Sequence, residues 1–216
     1  MMPKSIALEN AVSGWLRPAV LDRVEQVVIA LLWLWMVERV AGSFFHGNRM
    51  SCLVLISETS VMIFTLIRRP TTAISMKPGD WLLAITATAA PMMIQTASDP
   101  VFSLRIAGIV LVVLGNLGQA VAKLALARSF GIGPANRGIK IAGPYRLVRH
   151  PMYAGYLLVH IGVLLMMPLP INLLLYAIGW TAQIRRILAE ETLLRQDATY
   201  RAYVARVRWR LVPGVF

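Results

Sequence analysis

Residues 143–155 of the chain read GPYRLVRHPMYAG and place basic side chains directly before a proline, after which an apolar run begins. Proline suits the first turn of a helix, where its missing N–H would have no partner in any case. We therefore predict a helix that begins at Pro151, with His150 at its N-cap. The unpaired N–H groups and partial positive charge of this helix start, beside Arg146 and Arg149, predict an anion-binding corner. A basic cytoplasmic flank of a membrane helix is the alternative interpretation.

The composition favours a membrane protein over a soluble domain. Of the 216 residues, 57% are hydrophobic, and the mean hydropathy is +0.64, which is high for a soluble chain of this length. The net charge is +12, but the cations fall between long apolar runs, which favours a cytoplasmic membrane face and no nucleic-acid partner. Cys52 is the single cysteine, so no internal disulfide is expected. Residues 1–20 contain Glu9 and lack a compact apolar core, so no signal peptide is expected.

The apolar runs predict an all-α bundle of about six transmembrane helices, because a helix of ~20 apolar residues crosses the bilayer core. The predicted spans are residues 24–40, 50–67, 81–97, 101–126, 151–167 and 171–188. Pro91 predicts a kink in the third span. Gly108, Gly115 and Gly118 predict close helix contacts in the fourth span.

The placement of charge predicts the topology. If both termini are cytoplasmic, the inner segments are 1–23, 68–80, 123–150 and 185–216. Of the 22 lysine and arginine residues, only Arg39, Arg49 and Arg105 then lie outside these segments, as the positive-inside rule requires. We expect both termini and the active site in the cytoplasm and, in a bacterial cell, the protein in the inner membrane.

The C-terminal half is predicted to form a hairpin followed by a tail. The short turn at residues 168–170, Pro-Leu-Pro, should join the last two spans and place His150 beside residues 185–191. Residues 192–216 are basic with apolar residues near helical spacing, which predicts an amphipathic helix at the membrane interface. We divide the chain into N-terminal transmembrane helices, 1–122, and a C-terminal region, 123–216.

Two adjacent acids, Glu190 and Glu191, close the last predicted span. Arg186 lies one turn before Glu190 on the same helix face, so a solvated ion pair that contributes a few tenths of a kcal/mol is one interpretation. The other is functional: together with the corner at His150, these acids are suited to hold a zwitterion that carries an additional positive charge.

Other polar residues remain open to two interpretations. Glu58 lies within a predicted span, where a carboxyl group is either functional or a hydrogen-bonded structural acid. His160 is more often a satisfied core residue than a ligand. The three histidines and the cysteine show no metal-ligand spacing, and the chain has no Gly-rich phosphate-binding motif, so no metal site is expected.

From residue 126 onward, the chain resembles the isoprenylcysteine carboxyl methyltransferase and phospholipid methyltransferase superfamily of integral membrane enzymes. The resemblance covers roughly the last 90 residues. It is carried by ARSF at 127–130, GPY at 143–145, RHPMYAG at 149–155, EE at 190–191 with Leu194, and then Tyr200, Tyr203, Val207 and Pro213.

The resemblance implies S-adenosyl-L-methionine as the cofactor, bound in a cytoplasmic pocket. The residues implied to bind it are Gly138, Ile139, Lys140, Tyr145, Arg149, His150, Pro151, Met152, Tyr153, Glu190 and Glu191. It further implies that Glu190 meets the positive end of the cofactor and that Arg186 orients the methyl acceptor. The chain departs from the superfamily pattern at residues 137–142, RGIKIA, and at residues 197–199, DAT.

The expected acceptor is a lipophilic or lipidated molecule that enters from the membrane lipid. An isoprenylated cysteine carboxylate is the first choice, and a phospholipid amine or a thiol is an alternative on the same scaffold. A non-catalytic transport or assembly protein, with Glu38 and Glu58 in a polar pathway, is the rival from another class.

Overall fold

The computed structural model of the protein describes residues 18–45, 55, 59, 62–69, 71, 74–75, 77–95, 102–129, 131 and 134–216. The α-helices with described bounds are α1 (Pro18–Phe45), α2 (Pro78–Met92), α3 (Phe102–Leu126), α4 (Pro151–Met166), α5 (Pro170–Leu194) and α6 (Ala198–Arg206), and residues 62–67 are also helical. Short 3-10 turns occupy Ala127–Ser129 and Gly143–Arg146. In the described ranges the only β pairing is an isolated bridge between Ile74 and Ala135, so the all-α prediction is confirmed there.

Two helix starts follow from proline. Helix α4 begins at Pro151 with His150 as its N-cap, which confirms the prediction made from the sequence. Helix α2 begins at Pro78, contains 15 residues and ends at Met92, although a span to residue 97 with a kink at Pro91 was predicted. Pro91 lies in the last turn of α2 instead, one residue before the helix ends at Met92, so only one helical hydrogen bond is lost and no continuing helix has to bend.

The structure supports membrane spanning only in part. Among the described residues, Leu104–Ser129 is the one helix long and apolar enough to cross a bilayer, and Pro151–Met166 is apolar but shorter. Helices α1, α3 and α5 nevertheless expose large apolar side chains, including Val27, Leu31, Leu117, Leu124, Leu173 and Leu174. Most of the predicted span 50–67, with Glu58, lies outside the described residues.

Glycine contacts join α3 to α4. A Cβ on Gly108 would lie 2.6 Å from the carbonyl oxygen of Gly162, and a Cβ on Gly115 would lie 2.7 Å from that of Gly155. The two backbones therefore approach more closely than any side chain would permit, as predicted for Gly108 and Gly115. No such contact forms at Gly118, since no described residue lies within 4 Å of its Cβ position.

Helices α4 and α5 are neighbours at both ends. Near the turn that joins them, the rings of His160 and Tyr176 are stacked with centroids 4.5 Å apart, and Trp180 Nε1 donates to His160 Nδ1 at 3.0 Å. His160 is thus a satisfied core residue. At the other end, Arg149 Nη1 lies 2.7 Å from Glu191 Oε1, which confirms the predicted proximity of the His150 corner to the end of the last span.

The prediction of one amphipathic helix over residues 192–216 is wrong. Helix α6 contains only nine residues, and the chain beyond it leaves the helical conformation. There the carbonyl oxygens of Trp209 and Arg210 accept from the N–H groups of Arg149 and His150, at 2.9 and 2.8 Å. The apolar spacing of this segment reflects burial against the protein, since Tyr200, Tyr203, Val207 and Leu211 are all buried.

Candidate active site

A cavity lies where the end of α3, the loop 134–140, the start of α4, the end of α5 and α6 meet. The predicted cofactor residues that line it are Gly138, Ile139, Lys140, Tyr145, Arg149, His150, Met152, Tyr153 and Glu190. Sequence reasoning did not assign the other lining residues to this site: Leu126, Ser129, Gly131, Ala135, Arg137, Leu194, Tyr200 and Tyr203. Pro151, Glu191 and Arg186 are not among the lining residues.

Glu190 presents a carboxylate to this cavity. Its Oε2 accepts a hydrogen bond of 3.1 Å from the hydroxyl group of Tyr153. Within the described part of the chain no cation lies within 4 Å of this carboxylate. A carboxylate oriented by a phenol and unpaired with a cation is suited to bind a positively charged ligand.

Arg186 is buried behind Tyr153 and does not pair with Glu190, so the interpretation of these two residues as a surface ion pair is wrong. Only 4% of Arg186 is exposed, and its guanidinium carbon lies 5.1 Å from the centre of the Tyr153 ring. Its terminal nitrogens make long contacts of 3.4 Å to Gln183 Oε1 and 3.5 Å to the carbonyl oxygen of Gly131. Its Nε has no hydrogen-bond partner.

A buried cation with so few acceptors is costly unless it binds something. The described residues place no carboxylate within 4 Å of Arg186, while the ring of Tyr153 faces it. The arrangement on α5 is therefore an arginine that lacks an anion and, one turn later, a glutamate that lacks a cation.

Glu191 occupies the corner that the sequence predicted for an external anion. Arg149 Nη1 donates to both of its oxygens, at 2.7 and 2.9 Å. The remaining nitrogens of Arg149 donate to the carbonyl oxygens of Val207, at 3.0 Å, and Arg208, at 2.7 Å. Every nitrogen of this guanidinium group thus has a protein acceptor, and the positive charge at the start of α4 is neutralised from within the protein.

Two further arginines and the ring of His150 complete the surroundings of Glu191; Arg195 Nη2 lies 3.7 Å from Oε2. His150 Nε2 lies 3.3 Å from Oε1, and Arg210 Nε lies 3.1 Å from Oε2. Burial opposes ionisation, but the hydrogen bond to His150 and the charges of Arg149 and Arg210 prevail and lower the pKa of Glu191 to about 2. The carboxylate stays ionised at neutral pH and ties α5 to α4 and to the tail.

Tyrosines form much of the wall of the cavity. The hydroxyl group of Tyr203 donates to the carbonyl oxygen of Tyr145 at 2.7 Å, and burial raises the pKa of both phenols. The ring of Tyr153 is stacked on His150 with centroids 5.5 Å apart. The buried hydroxyl group of Tyr200 has no hydrogen-bond partner. The wall thus offers neutral aromatic faces and one unsatisfied hydroxyl group to a ligand.

The loop 134–140 is anchored to the N-terminal helices. Arg137 Nη2 donates to Asp22 Oδ1 of α1 at 2.7 Å, and Arg137 Nε donates to the carbonyl oxygen of Arg69 at 3.1 Å. Arg68 lies 2.9 Å from the same Asp22 oxygen and also pairs with Glu25. The available sequence signal was the pair of acids, Asp22 and Glu25, spaced three residues apart at the start of an apolar helix on an otherwise basic side.

Gly138 and Lys140 complete the edge of this loop. Gly138 has a φ of +100°, in the region that favours glycine, and its N–H donates to Asn136 Oδ1 at 2.9 Å. Lys140 forms no ion pair with a described residue, so its ammonium group is available for an anion. Within the same part of the chain, no group of three or more His, Cys, Asp or Glu side chains is arranged to hold a metal ion.

The comparison with known families identifies the class of this site. Residues 103–200, which include α4, α5 and most of the residues that line the cavity, match the sequence profile of the phospholipid methyltransferase family. Over these residues, a little under half of the chain, the protein is therefore similar to the phospholipid methyltransferase family, in agreement with the resemblance noted in its sequence motifs. The search of curated proteins found no match to the chain.

Proposed function

We propose that this protein is an S-adenosyl-L-methionine-dependent methyltransferase that acts on a lipophilic acceptor with an anionic nucleophile. The observation that carries the proposal is the pair on α5: among the described residues Arg186 has no anion and Glu190 has no cation, and both contact Tyr153, Glu190 at its hydroxyl group and Arg186 at its ring. An isoprenylcysteine carboxylate is the acceptor that fits this pair best.

The residues of the cavity fit such a cofactor. Glu190 provides a carboxylate for its positive charge, and Lys140 provides an ammonium group for its carboxylate. The unsatisfied hydroxyl group of Tyr200 and the faces of Tyr145 and Tyr203 suit its nucleoside. When bound, the cofactor supplies a methyl group on a positively charged sulfur.

The role of the protein is then to position the two reactants. Glu190 is held by Tyr153, and Arg186 is buried one helical turn away, so the geometry of α5 fixes the distance between the two binding groups. Positioning and exclusion of water contribute much of the rate in a displacement of this kind. Arg149 and Glu191 act indirectly, because their ion pair holds the start of α4 against the end of α5.

The charge of Arg186 also bears on the choice of acceptor. A buried guanidinium group favours a carboxylate or a thiolate over an amine, which carries no negative charge. The match to the phospholipid methyltransferase family supports a phospholipid amine as the second candidate. The non-catalytic alternative places Glu38 and Glu58 in a polar pathway; Glu38 is exposed on α1, and Glu58 lies outside the described residues.

The proposal includes six membrane spans with the termini and the cavity in the cytoplasm. The exposed apolar faces of α1, α3 and α5 and the cations around the cavity support it. A cysteine at Asn136, in a Cys52→Ser background, should resist an impermeant thiol reagent in intact cells and react after permeabilisation. Labelling in intact cells would overturn this topology.

The experiment on function combines titration with S-adenosylhomocysteine and a methyl-transfer assay on prenylcysteine, phospholipid and thiol acceptors. Glu190→Gln should weaken cofactor binding ~10-fold, since a charge-assisted contact contributes ~1.5–3 kcal/mol. Arg186→Ala should keep cofactor affinity and lose methyl transfer. Arg186→Lys should restore little activity, because an ammonium group does not reproduce the planar guanidinium.

Arg185→Ala is the matched control, because Arg185 is the exposed neighbour of Arg186 on the same helix. It should leave both measurements unchanged. If Arg185→Ala and Arg186→Ala behave alike, or if the wild-type protein binds no S-adenosylhomocysteine, the proposed function is wrong.

A further inference from the structure

A buried ion pair joins helix α1 to the wall of the cavity across 115 positions of sequence. Arg137, which lines the cavity, places its Nη2 2.7 Å from Asp22 Oδ1, and their side chains are 1% and 10% exposed. We propose that Asp22 is a positioning residue for the cofactor edge at residues 138–140. This inference rests on the proposed function, because it concerns the affinity of the cavity for the methyl-donor cofactor.

Arg137 is held from several directions. Its Nε donates to the carbonyl oxygen of Arg69 at 3.1 Å, and its own carbonyl oxygen accepts from Ser129 Oγ at 2.9 Å. A Cβ on Gly131 would lie 2.1 Å from its Nη1, so the guanidinium group packs directly on the backbone of Gly131. Any lateral movement of this side chain must displace the loop that carries it.

Asp22 also separates two positive charges. The same carboxylate oxygen receives Arg68, at 2.9 Å, and Arg137, at 2.7 Å. Glu25, one turn later on α1, pairs with Arg68, and its charge raises the pKa of Arg137, but the carboxylate that accepts a hydrogen bond from Arg137 is that of Asp22. Loss of the Asp22 charge would leave Arg137 without this charged hydrogen-bond acceptor, and the repulsion from Arg68 would then favour movement of Arg137 away from α1.

The displacement would reach the cavity through one peptide bond. Gly138 follows Arg137 with a φ of +100° and directs the chain toward Ile139 and Lys140. A small displacement of binding groups lowers affinity. A change in the position of α1 would therefore change the affinity of residues 138–140 for the cofactor. This gives the N-terminal helix a role that the sequence motifs of the C-terminal region do not reveal.

Asp22→Asn and Glu25→Gln form a matched pair, since each removes one carboxylate of the same cluster. Asp22→Asn should weaken S-adenosylhomocysteine binding ~10-fold and raise KM for the cofactor similarly. Its kcat at saturating cofactor should change less than about twofold, because Arg186 and Glu190 are untouched. Glu25→Gln should keep the cofactor affinity within about twofold of wild type, even if it lowers thermal stability as much as Asp22→Asn does.

Gly131→Ala provides a second test that removes no charge. The new methyl group would overlap Arg137 Nη1, so this variant should also weaken cofactor binding. If Asp22→Asn does not fold, hydrogen exchange decides between Gly131→Ala and Glu25→Gln, because Gly131 itself lines the cavity and contacts Arg186. Hydrogen exchange of residues 134–140 without ligand should rise in Asp22→Asn and Gly131→Ala but not in Glu25→Gln.

The outcomes separate this inference from the function on which it rests. A wild-type protein that binds no S-adenosylhomocysteine would overturn both. A wild-type protein that binds it, with unchanged affinity in Asp22→Asn and Gly131→Ala, would overturn the positioning role alone. Equal losses of affinity in Asp22→Asn and Glu25→Gln would show a merely structural cluster and would also overturn the positioning role.

Discussion

Two buried carboxylates each bind an arginine that lines the cavity, and the two pairs differ in the sequence separation of their residues. Glu191 holds Arg149, a lining residue 42 positions earlier, within the matched family region. Asp22 holds Arg137, a lining residue 115 positions later. Each carboxylate also binds a second arginine, Arg210 for Glu191 and Arg68 for Asp22.

The difference shows that the cavity has a local and a remote support. The local support is the contact of Glu191 with Arg149. These two residues belong to the sequence motifs at 190–191 and 149–155, which were predicted to be neighbours. The remote support at Asp22 depends on α1 and on residues 68–69, which carry no motif. A segment recognised by its motifs is therefore not the whole of the site.

The largest effect is expected at the local support. Glu191→Gln would leave Arg149, His150 and Arg210 around a neutral amide, and breaking a buried ion pair from one side costs ~3–5 kcal/mol. We expect a clear fall in melting temperature, measured by thermal unfolding in detergent. Glu190→Gln is the matched control, because Glu190 has no ion pair to lose. Similar melting temperatures for the two variants would contradict the structural role of Glu191.

A smaller effect should appear when the protein is acidified. The ion pairs lower the pKa of Glu191 from 4.5 to about 2, so its contribution to stability is fully present above pH ~4.5 and is lost as the pH falls toward 2. Thermal unfolding between pH 6 and pH 3 should therefore show a steeper loss in the wild-type protein than in Glu191→Gln. Parallel pH profiles would remove Glu191 as the cause.

The sequence predicted those features that depend on local chemistry. The helix start at Pro151 follows from the proline itself, and the proximity of Arg149 to Glu191 follows from helix lengths and a short turn. Nine of the eleven residues that the family resemblance assigned to the cofactor line the cavity, Tyr145 and Glu190 among them. Which assigned residues bind the cofactor stays a prediction.

What the sequence did not predict depends on contacts between distant segments. The partner of Arg137 is Asp22, and no periodicity relates two residues so far apart. The tail has apolar spacing that suits lipid as well as protein, so the burial of Leu211 was not foreseen. Likewise, Arg149 was expected to attract an external anion, because its pairing with Glu191 depends on the exact approach of two helices.

The bonds between the start of α4 and the tail have a consequence for biosynthesis. Arg149 takes its acceptors from Glu191, Val207 and Arg208, and its own N–H donates to Trp209. Since the ribosome makes the chain from its N-terminus, α4 and α5 are synthesised before the last of these acceptors exists. The start of α4 is therefore made before its set of hydrogen-bond partners is complete, and these bonds form only after residues 207–209 have emerged.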